Sequence, residues 1–197
     1  MIFSKMVFRI ICCCLLAFSS VAFGQADKYG VTDVTFGMLA WIKHLNNDAD
    51  KYFVKEKGEA LNQHLTDLKR NLTGYMKARK VLSDSLFRNN ITPGKKDERN
   101  LEDLKARMGT IMGDMRGVTD FVNDELRAEG DKLNDDIYNI LYGEQPRFLS
   151  NLEAFLAGVD VTKRDMTVEG SKSYSRLEEC VNLIAVLQDK LDRKMKK

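Results

Sequence analysis

Residues 61–86 read LNQHLTDLKRNLTGYMKARKVLSDSL, and apolar side chains recur in this stretch at alternating intervals of four and three residues. The positions on this stripe are Leu61, Leu65, Leu68, Leu72, Tyr75, Arg79, Leu82 and Leu86. Such heptad spacing is typical of a helix that packs along another helix, and Arg79 is its one charged interruption. The stretch therefore predicts a long amphipathic helix. No part of the chain shows the sustained alternation of a strand.

A second stripe with the same spacing follows, and its positions are Leu101, Leu104, Met108, Ile111, Met115, Val118, Val122 and Glu125. Between the two stripes lies Asn89-Asn90-Ile91-Thr92-Pro93-Gly94, a strong turn signal because proline and glycine do not easily continue a helix. Two striped helices joined by a short turn bury their stripes against each other. The sequence thus predicts an all-α fold, an elongated antiparallel helical bundle with a long coiled-coil-like hairpin at about 48–89 and 97–129. The expected layers pair Leu86 with Leu104, Leu82 with Met108, Tyr75 with Met115, Leu72 with Val118 and Leu68 with Val122.

Shorter helices are predicted on both sides of the hairpin. One covers 33–46, and Asp48 is the expected N-cap of the first long helix. Another follows Gly130 and ends at Gly143, and the next covers about 148–158. The segment 159–170 is polar and without a clear period, so it is expected to be the longest loop, before a last helix over about 171–197.

The first 24 residues have the three-part layout of a secretory signal peptide. Lys5 and Arg9 precede an apolar run over 10–18, and small residues follow at Ala22 and Gly24. The run is shorter than a permanent membrane span needs. We expect cleavage after Gly24, which leaves residues 25–197 as one helical-bundle domain, secreted or periplasmic and without an integral membrane span. A retained N-terminal anchor is the main alternative.

The charge balance and the cysteine content argue against a nucleic-acid-binding protein and against a disulfide-stabilised fold. The chain has 31 basic and 29 acidic residues, and removal of Lys5 and Arg9 with the signal would leave 29 of each. A basic field for nucleic acid is therefore not expected. Cys180 is the one cysteine outside residues 1–24, so no disulfide within the remaining chain is possible. Because Cys180 falls on an apolar stripe of the last helix, we expect a buried thiol.

Motifs for catalysis and for metal binding are missing from the sequence. The two histidines are His44 and His64, and the residues three before them are Trp41 and Leu61 rather than the glutamates of a ferritin-like site. No Gly-x-Ser-x-Gly elbow or Ser-x-x-Lys pair occurs. We therefore predict no catalytic residue, metal or cofactor, and a protein that is not an enzyme. An active site dispersed along the sequence remains the alternative.

Two features indicate a possible interaction site. Gly109, Gly113 and Gly117 recur every four residues on one predicted helix, although each glycine costs about 1 kcal/mol of helix propensity relative to alanine. Close packing of a helix from this chain or a second one would explain them; a local kink is the alternative. Arg79 is the second feature, since a charged seam residue either extends to solvent or specifies a partner. The basic segment 190–197 suits a helix C-terminus, with anionic lipid contact as a less favoured reading.

The leading functional hypothesis is a non-enzymatic exported helical bundle that acts through protein–protein contact in the cell envelope or the extracellular space. Its partner would be another protein or a second copy of the chain. The alternative is a bundle that binds a small ligand or a lipid in an apolar cavity between helices, gated by Arg79 or Trp41.

Overall fold

The computed structural model describes residues 30–90, 92, 94–142 and 163–196, and these residues form five α-helices and no strand. The helices are α1 (Gly30–Tyr52), α2 (Gly58–Arg88), α3 (Lys95–Thr119), α4 (Asp124–Tyr142) and α5 (Lys163–Met195), with a short 3-10 helix at Lys55–Lys57. The all-α fold predicted from the sequence is confirmed. The expected signal peptide at 1–24 and the expected helix at 148–158 lie outside the described residues.

The predicted hairpin consists of α2 and α3, which pack closely against each other. α2 ends where Asn90 adopts a positive φ of 51°, a left-handed conformation that asparagine tolerates better than most residues. At the start of α3 the Asp97 carboxylate accepts a hydrogen bond from the Gly94 N–H at 2.9 Å. The turn therefore forms because local side-chain and backbone preferences at both ends stop one helix and begin the next.

The pairing of the two hairpin helices differs from the expected layers by about one heptad. Asn71 donates a hydrogen bond to Asp114 at 2.6 Å, whereas the expected layers would place Asn71 opposite residue 119. The Gly74 position lies against Arg107 rather than opposite residue 116. Paired residues are thus nearly equidistant from the middle of the turn at 91–92. The expected pairs are instead equidistant from residue 95, which already lies in α3. A short connection brings together residues equidistant from its own middle, so the expected pairing is wrong.

The boundary between α1 and α2 also differs from the prediction. α1 continues through Asn46 and Asp48 to Tyr52, so Asp48 is not an N-cap, and α2 begins at Gly58 rather than near 48. Contacts with α5 stabilise this extended helix: the Asn46 side-chain amide donates to the Leu183 carbonyl oxygen at 2.6 Å, and Lys190 Nζ donates to the Asn46 carbonyl oxygen at 2.9 Å. Tertiary packing here overrides the weak helix propensity of the polar segment.

Three further boundaries are wrong in the sequence-based prediction. α3 ends at Thr119 rather than near 129, because Asn123 caps a new helix by accepting a hydrogen bond from the Leu126 N–H at 3.0 Å. α4 then runs through Gly130 without a break. The predicted loop over 159–170 is helical from Lys163 onward, where α5 begins.

α5 lies against both α1 and α2. It runs parallel to α1, since Lys43 pairs with Glu179 at 2.8 Å and Asn46 contacts Leu183. It runs antiparallel to α2, since Asn62 donates to Asp192 at 3.2 Å and Lys69, further along α2, donates to the earlier residue Gln188 at 2.9 Å. α4 packs against α1 and α3, so each helix contacts two others around a shared core.

The core contains the apolar residues of the predicted stripes, whereas Arg79 is half-buried and Glu125 is exposed. Fully buried residues of the hairpin include Leu65, Leu68, Leu72, Tyr75, Leu86, Leu104, Met108, Ile111 and Val118. Cys180 is buried as expected, and burial raises the pKa of its thiol to about 12. Among residues 30–142 and 163–196, as far as the structure describes them, no helix has the length and apolarity to cross a membrane.

Candidate interaction surface

The three predicted interaction glycines lie on α3, on a face that carries small side chains. Ala106, Thr110 and Gly113 are exposed, and Gly109 and Gly117 are half-buried. From residue 106 to residue 117 this face extends about 17 Å along the helix axis at 1.5 Å per residue. We call it the glycine face. A surface without large side chains allows a second helix backbone to approach closely.

Gly117, at one end of the glycine face, is explained by a contact within the chain. A Cβ atom at this position would lie 2.5 Å from Nδ1 of His64 on α2. The His64 ring also packs on Phe121, with ring centroids 5.5 Å apart. Gly117 therefore makes room for a histidine of the neighbouring helix, one of the two explanations that the glycine spacing suggested.

Gly113 has no such explanation. A Cβ atom added there would meet nothing within 4 Å, and the residue is exposed. An alanine would fit this position and would favour the helix by about 1 kcal/mol. No neighbour among the described residues thus requires a glycine at the middle of the glycine face.

Polar groups border the glycine face on the side of α2. Asp114 accepts the hydrogen bond from Asn71, and both residues are half-buried. Partial burial is the main cause that raises the pKa of Asp114, while the Asn71 hydrogen bond opposes the shift. The side chains of Asn71 and Asp114 at this border are therefore fixed by a hydrogen bond between them.

Arg79, the other predicted interaction residue, is not part of this surface. It is half-buried on α2 and lies closer to the turn than Gly74, which contacts Arg107 of α3. Its positive charge acts on Tyr75: burial raises the pKa of the Tyr75 hydroxyl, and the Arg79 charge partly offsets that rise. The structure thus does not bring Arg79 together with the three glycines.

The histidines are separated in the structure. His44 Nδ1 lies 2.8 Å from Glu129 Oε2 of α4, and the hydrogen bond and charge of Glu129 raise the pKa of His44. His64 lies instead at Gly117 on the hairpin. Within the described ranges, no group of three or more His, Cys, Asp or Glu side chains is arranged to hold a metal ion.

Trp41, which the alternative hypothesis makes a gate, lies in the core between α1 and α4. Its side chain is fully buried, and its Nε1 donates to the Leu126 carbonyl oxygen at 3.1 Å. A Cβ atom at Gly130 would lie 2.5 Å from Thr119 and 3.0 Å from Trp41 Nε1. Trp41 is therefore a packing residue that fixes α1 against α4 at a glycine.

The role of Gly130 was missed by sequence reasoning, which treated this glycine as a helix boundary. The signal that could have revealed it is the helix-favouring sequence on both sides, from Leu126 to Glu129 and again to Leu133. A glycine inside such a stretch often marks close packing. Which residue fills the space, however, depends on how α1 crosses α4.

The chain matches no protein-family model, and no similar curated protein or solved structure is found.

Proposed function

We propose that this chain is a non-enzymatic, exported helical-bundle protein that acts through protein–protein contact in the cell envelope or the extracellular space. The proposed contact is the glycine face of α3, and the partner is a helix of another protein or of a second copy of the chain. The observation that supports the proposal most directly is Gly113, an exposed glycine in the middle of a helix with no neighbour within 4 Å of its Cβ position.

A helix-interior glycine at a solvent-exposed position lowers helix stability by about 1 kcal/mol relative to alanine. A docked helix would offset that cost, since a missing side chain lets two backbones approach and make many dispersion contacts. The hydrogen-bonded border at Asn71 and Asp114 supplies a polar rim, which is common around the apolar centre of interfaces.

The proposal is tested by a substitution that places a large side chain on the glycine face without altering the buried core. Gly113→Leu places a large side chain where a partner would dock, and Ala60→Leu places the same side chain at an exposed position of α2 as a control. Sedimentation velocity of the purified protein measures self-association, and cross-linking in the producing cell measures capture of a partner. We expect Gly113→Leu to weaken association at least tenfold and Ala60→Leu to leave it unchanged.

A strict monomer that captures no partner would contradict the proposed contact. Equal association of the wild type and Gly113→Leu would contradict the proposed surface, even if a partner exists elsewhere. Export is measured separately, by cell fractionation and N-terminal sequencing. We expect the exported chain to begin at Gln25 and a variant lacking residues 1–24 to stay inside the cell.

A further inference from the structure

The methionines of this chain differ in how far solvent reaches them. Six of them lie among the residues whose side chains the structure describes. Met195, at the end of α5, is half-buried. The other five are at most 8% exposed, and these are Met38, Met76, Met108, Met112 and Met115. Because oxidation of a thioether requires contact with the oxidant, Met195 is the methionine of this group that a dissolved oxidant reaches first.

The remaining sulfur group of the described helices, the Cys180 thiol, is poorly reactive by comparison. Cys180 is fully buried, and burial raises the pKa of its thiol to about 12. The thiolate is the reactive form of cysteine, and at neutral pH it is scarcely populated at such a pKa. In this part of the chain, oxidation is therefore directed to Met195 rather than to the thiol.

Met195 packs into the connection between α1 and α2. A Cβ atom at Gly58, the first residue of α2, would lie 2.7 Å from Sδ of Met195 and 3.1 Å from Cε2 of Phe53. The thioether and the aromatic ring therefore meet over Gly58, which is itself buried. Contacts between thioether sulfur and aromatic rings are favourable. The missing side chain of Gly58 thus provides the space in which the Met195 sulfur lies.

The start of α2 depends on this packing. Its N-cap residue, Lys57, makes no side-chain hydrogen bond to the helix. Next to Met195, Lys194 pairs with Asp50 of α1, but the Asp50 side chain is 86% exposed, and exposed ion pairs contribute little to stability. The apolar contact of Met195 with Gly58 and Phe53 is therefore important for holding the end of α5 at the α1–α2 connection.

We propose that Met195 is a modification site for hydrogen peroxide, and that its oxidation to the sulfoxide releases the end of α5 from the α1–α2 connection. The Met195 sulfur attacks one peroxide oxygen, and an S–O bond forms as the O–O bond breaks. The remaining hydroxyl takes the proton of the transferred oxygen and leaves as water, so the sulfur loses two electrons and the peroxide gains them. The sulfoxide is polar and favours solvent over the apolar contact with Phe53 and Gly58.

Peptide mass spectrometry of the purified protein, treated with limiting hydrogen peroxide, tests the modification. We expect Met195 to gain one oxygen atom at least tenfold faster than each of the five buried methionines. Oxidation of any of those five at the rate of Met195, in the folded protein, overturns the proposal.

Amide hydrogen exchange tests the structural consequence. Oxidation should speed exchange in the segment 53–61 several-fold, because the start of α2 loses its packing. Met195→Leu is the matched control, since it keeps an apolar side chain of similar volume without the sulfur. In this variant, exchange of the segment should match that of the untreated wild type and should not respond to peroxide.

Reduction of the oxidised wild type by methionine sulfoxide reductases should restore slow exchange, because the sulfoxide returns to the thioether. Unchanged exchange in 53–61 after complete oxidation of Met195 overturns the proposed release. So does an equal peroxide response in Met195→Leu, or an effect that persists after reduction, since either result places the cause at another residue.

Discussion

The glycines of this chain show how the same residue has opposite consequences in different surroundings. Gly130 and Gly113 both lie inside helices, where glycine is unfavourable by about 1 kcal/mol relative to alanine. At Gly130 the space of a side chain is already filled by Thr119 and Trp41, whereas at Gly113 it is open. Their spacing along the sequence identified the glycines on α3. Whether the fold requires a glycine at a given position depends on the atoms that surround its Cβ position in the structure.

Gly130→Ala is expected to destabilise the protein by about 1–3 kcal/mol, because the new methyl group would overlap a packed core. Trp41 cannot move aside easily, since its ring is buried and held by the hydrogen bond to the Leu126 carbonyl oxygen. Urea unfolding measures the change. Gly113→Ala is the control and should stabilise the protein by up to about 1 kcal/mol. A neutral or stabilising effect of Gly130→Ala would contradict the packing described at Trp41.

The ion pair of His44 and Glu129 predicts a pH dependence of stability. The pKa of His44 in the folded protein is raised above 6.5, so the folded state favours the protonated ring. The stabilisation is therefore fully present below about pH 6.5 and is lost as pH rises through the raised value. The His44 side chain is 61% exposed, so the contribution stays below about 1 kcal/mol.

An NMR titration of the His44 ring measures this shift directly. Glu129→Gln removes the carboxylate charge and should bring the pKa of His44 back toward 6.5, while the stability gained at low pH disappears. An unchanged His44 titration in Glu129→Gln would show that the two side chains do not pair in solution.

At the scale of helices, the seam spacing and the turn residues predicted the hairpin, but not its pairing. Heptad stripes are nearly repetitive, so a shift of seven residues brings apolar residues opposite apolar residues again. The length of the connection decides between such alternatives. Here Asn90 and Gly94 confine the turn to a few residues, and the helices pair about its middle.

Cross-linking distinguishes the two pairings. Asn71→Cys with Asp114→Cys should react efficiently with a short bismaleimide, because the native side chains are hydrogen-bonded. Asn71→Cys with Phe121→Cys should react poorly. Phe121 lies seven residues after Asp114, just beyond the end of α3, and two residues from position 119, which the expected pairing places opposite Asn71. The native Cys180 does not interfere, since it is fully buried and its pKa is about 12. Preferential reaction of the second pair, measured by mass spectrometry, would restore the pairing expected from the sequence.

At the scale of the whole molecule, α5 connects the hairpin to α1. On the α1 side, Glu179 of α5 pairs with Lys43 and Lys190 donates to the Asn46 carbonyl oxygen. On the α2 side, Gln188 contacts Asn62, and the apolar stripe of α5 enters the same core. Trp41, the single tryptophan, lies where α1 packs against α4. Because the described helices share one core, a loss of packing on α5 should destabilise the surroundings of Trp41 as well.

Leu187→Ala is expected to lower the unfolding free energy by about 2–5 kcal/mol, since Leu187 is fully buried. Trp41 fluorescence and far-UV circular dichroism should show the same shifted transition, as in two-state unfolding. Val186→Ala, at a neighbouring side chain that is 48% exposed, should change stability by less than about 0.5 kcal/mol. Separate transitions for the two probes would show that α5 unfolds independently of the core around Trp41.

The sequence by itself determined the helical class, the two long stripes, the turn between them and the buried position of Cys180. These properties depend on local periodicity and on the backbone preferences of a few residues, both of which can be read along the chain. Tertiary structure alone decided the hairpin pairing, the continuation of α1 through Asn46 and the packing of Gly130 against Trp41. Each of these depends on contacts between residues far apart in the chain, and near-repetitive stripes leave several such arrangements open until the helices pack.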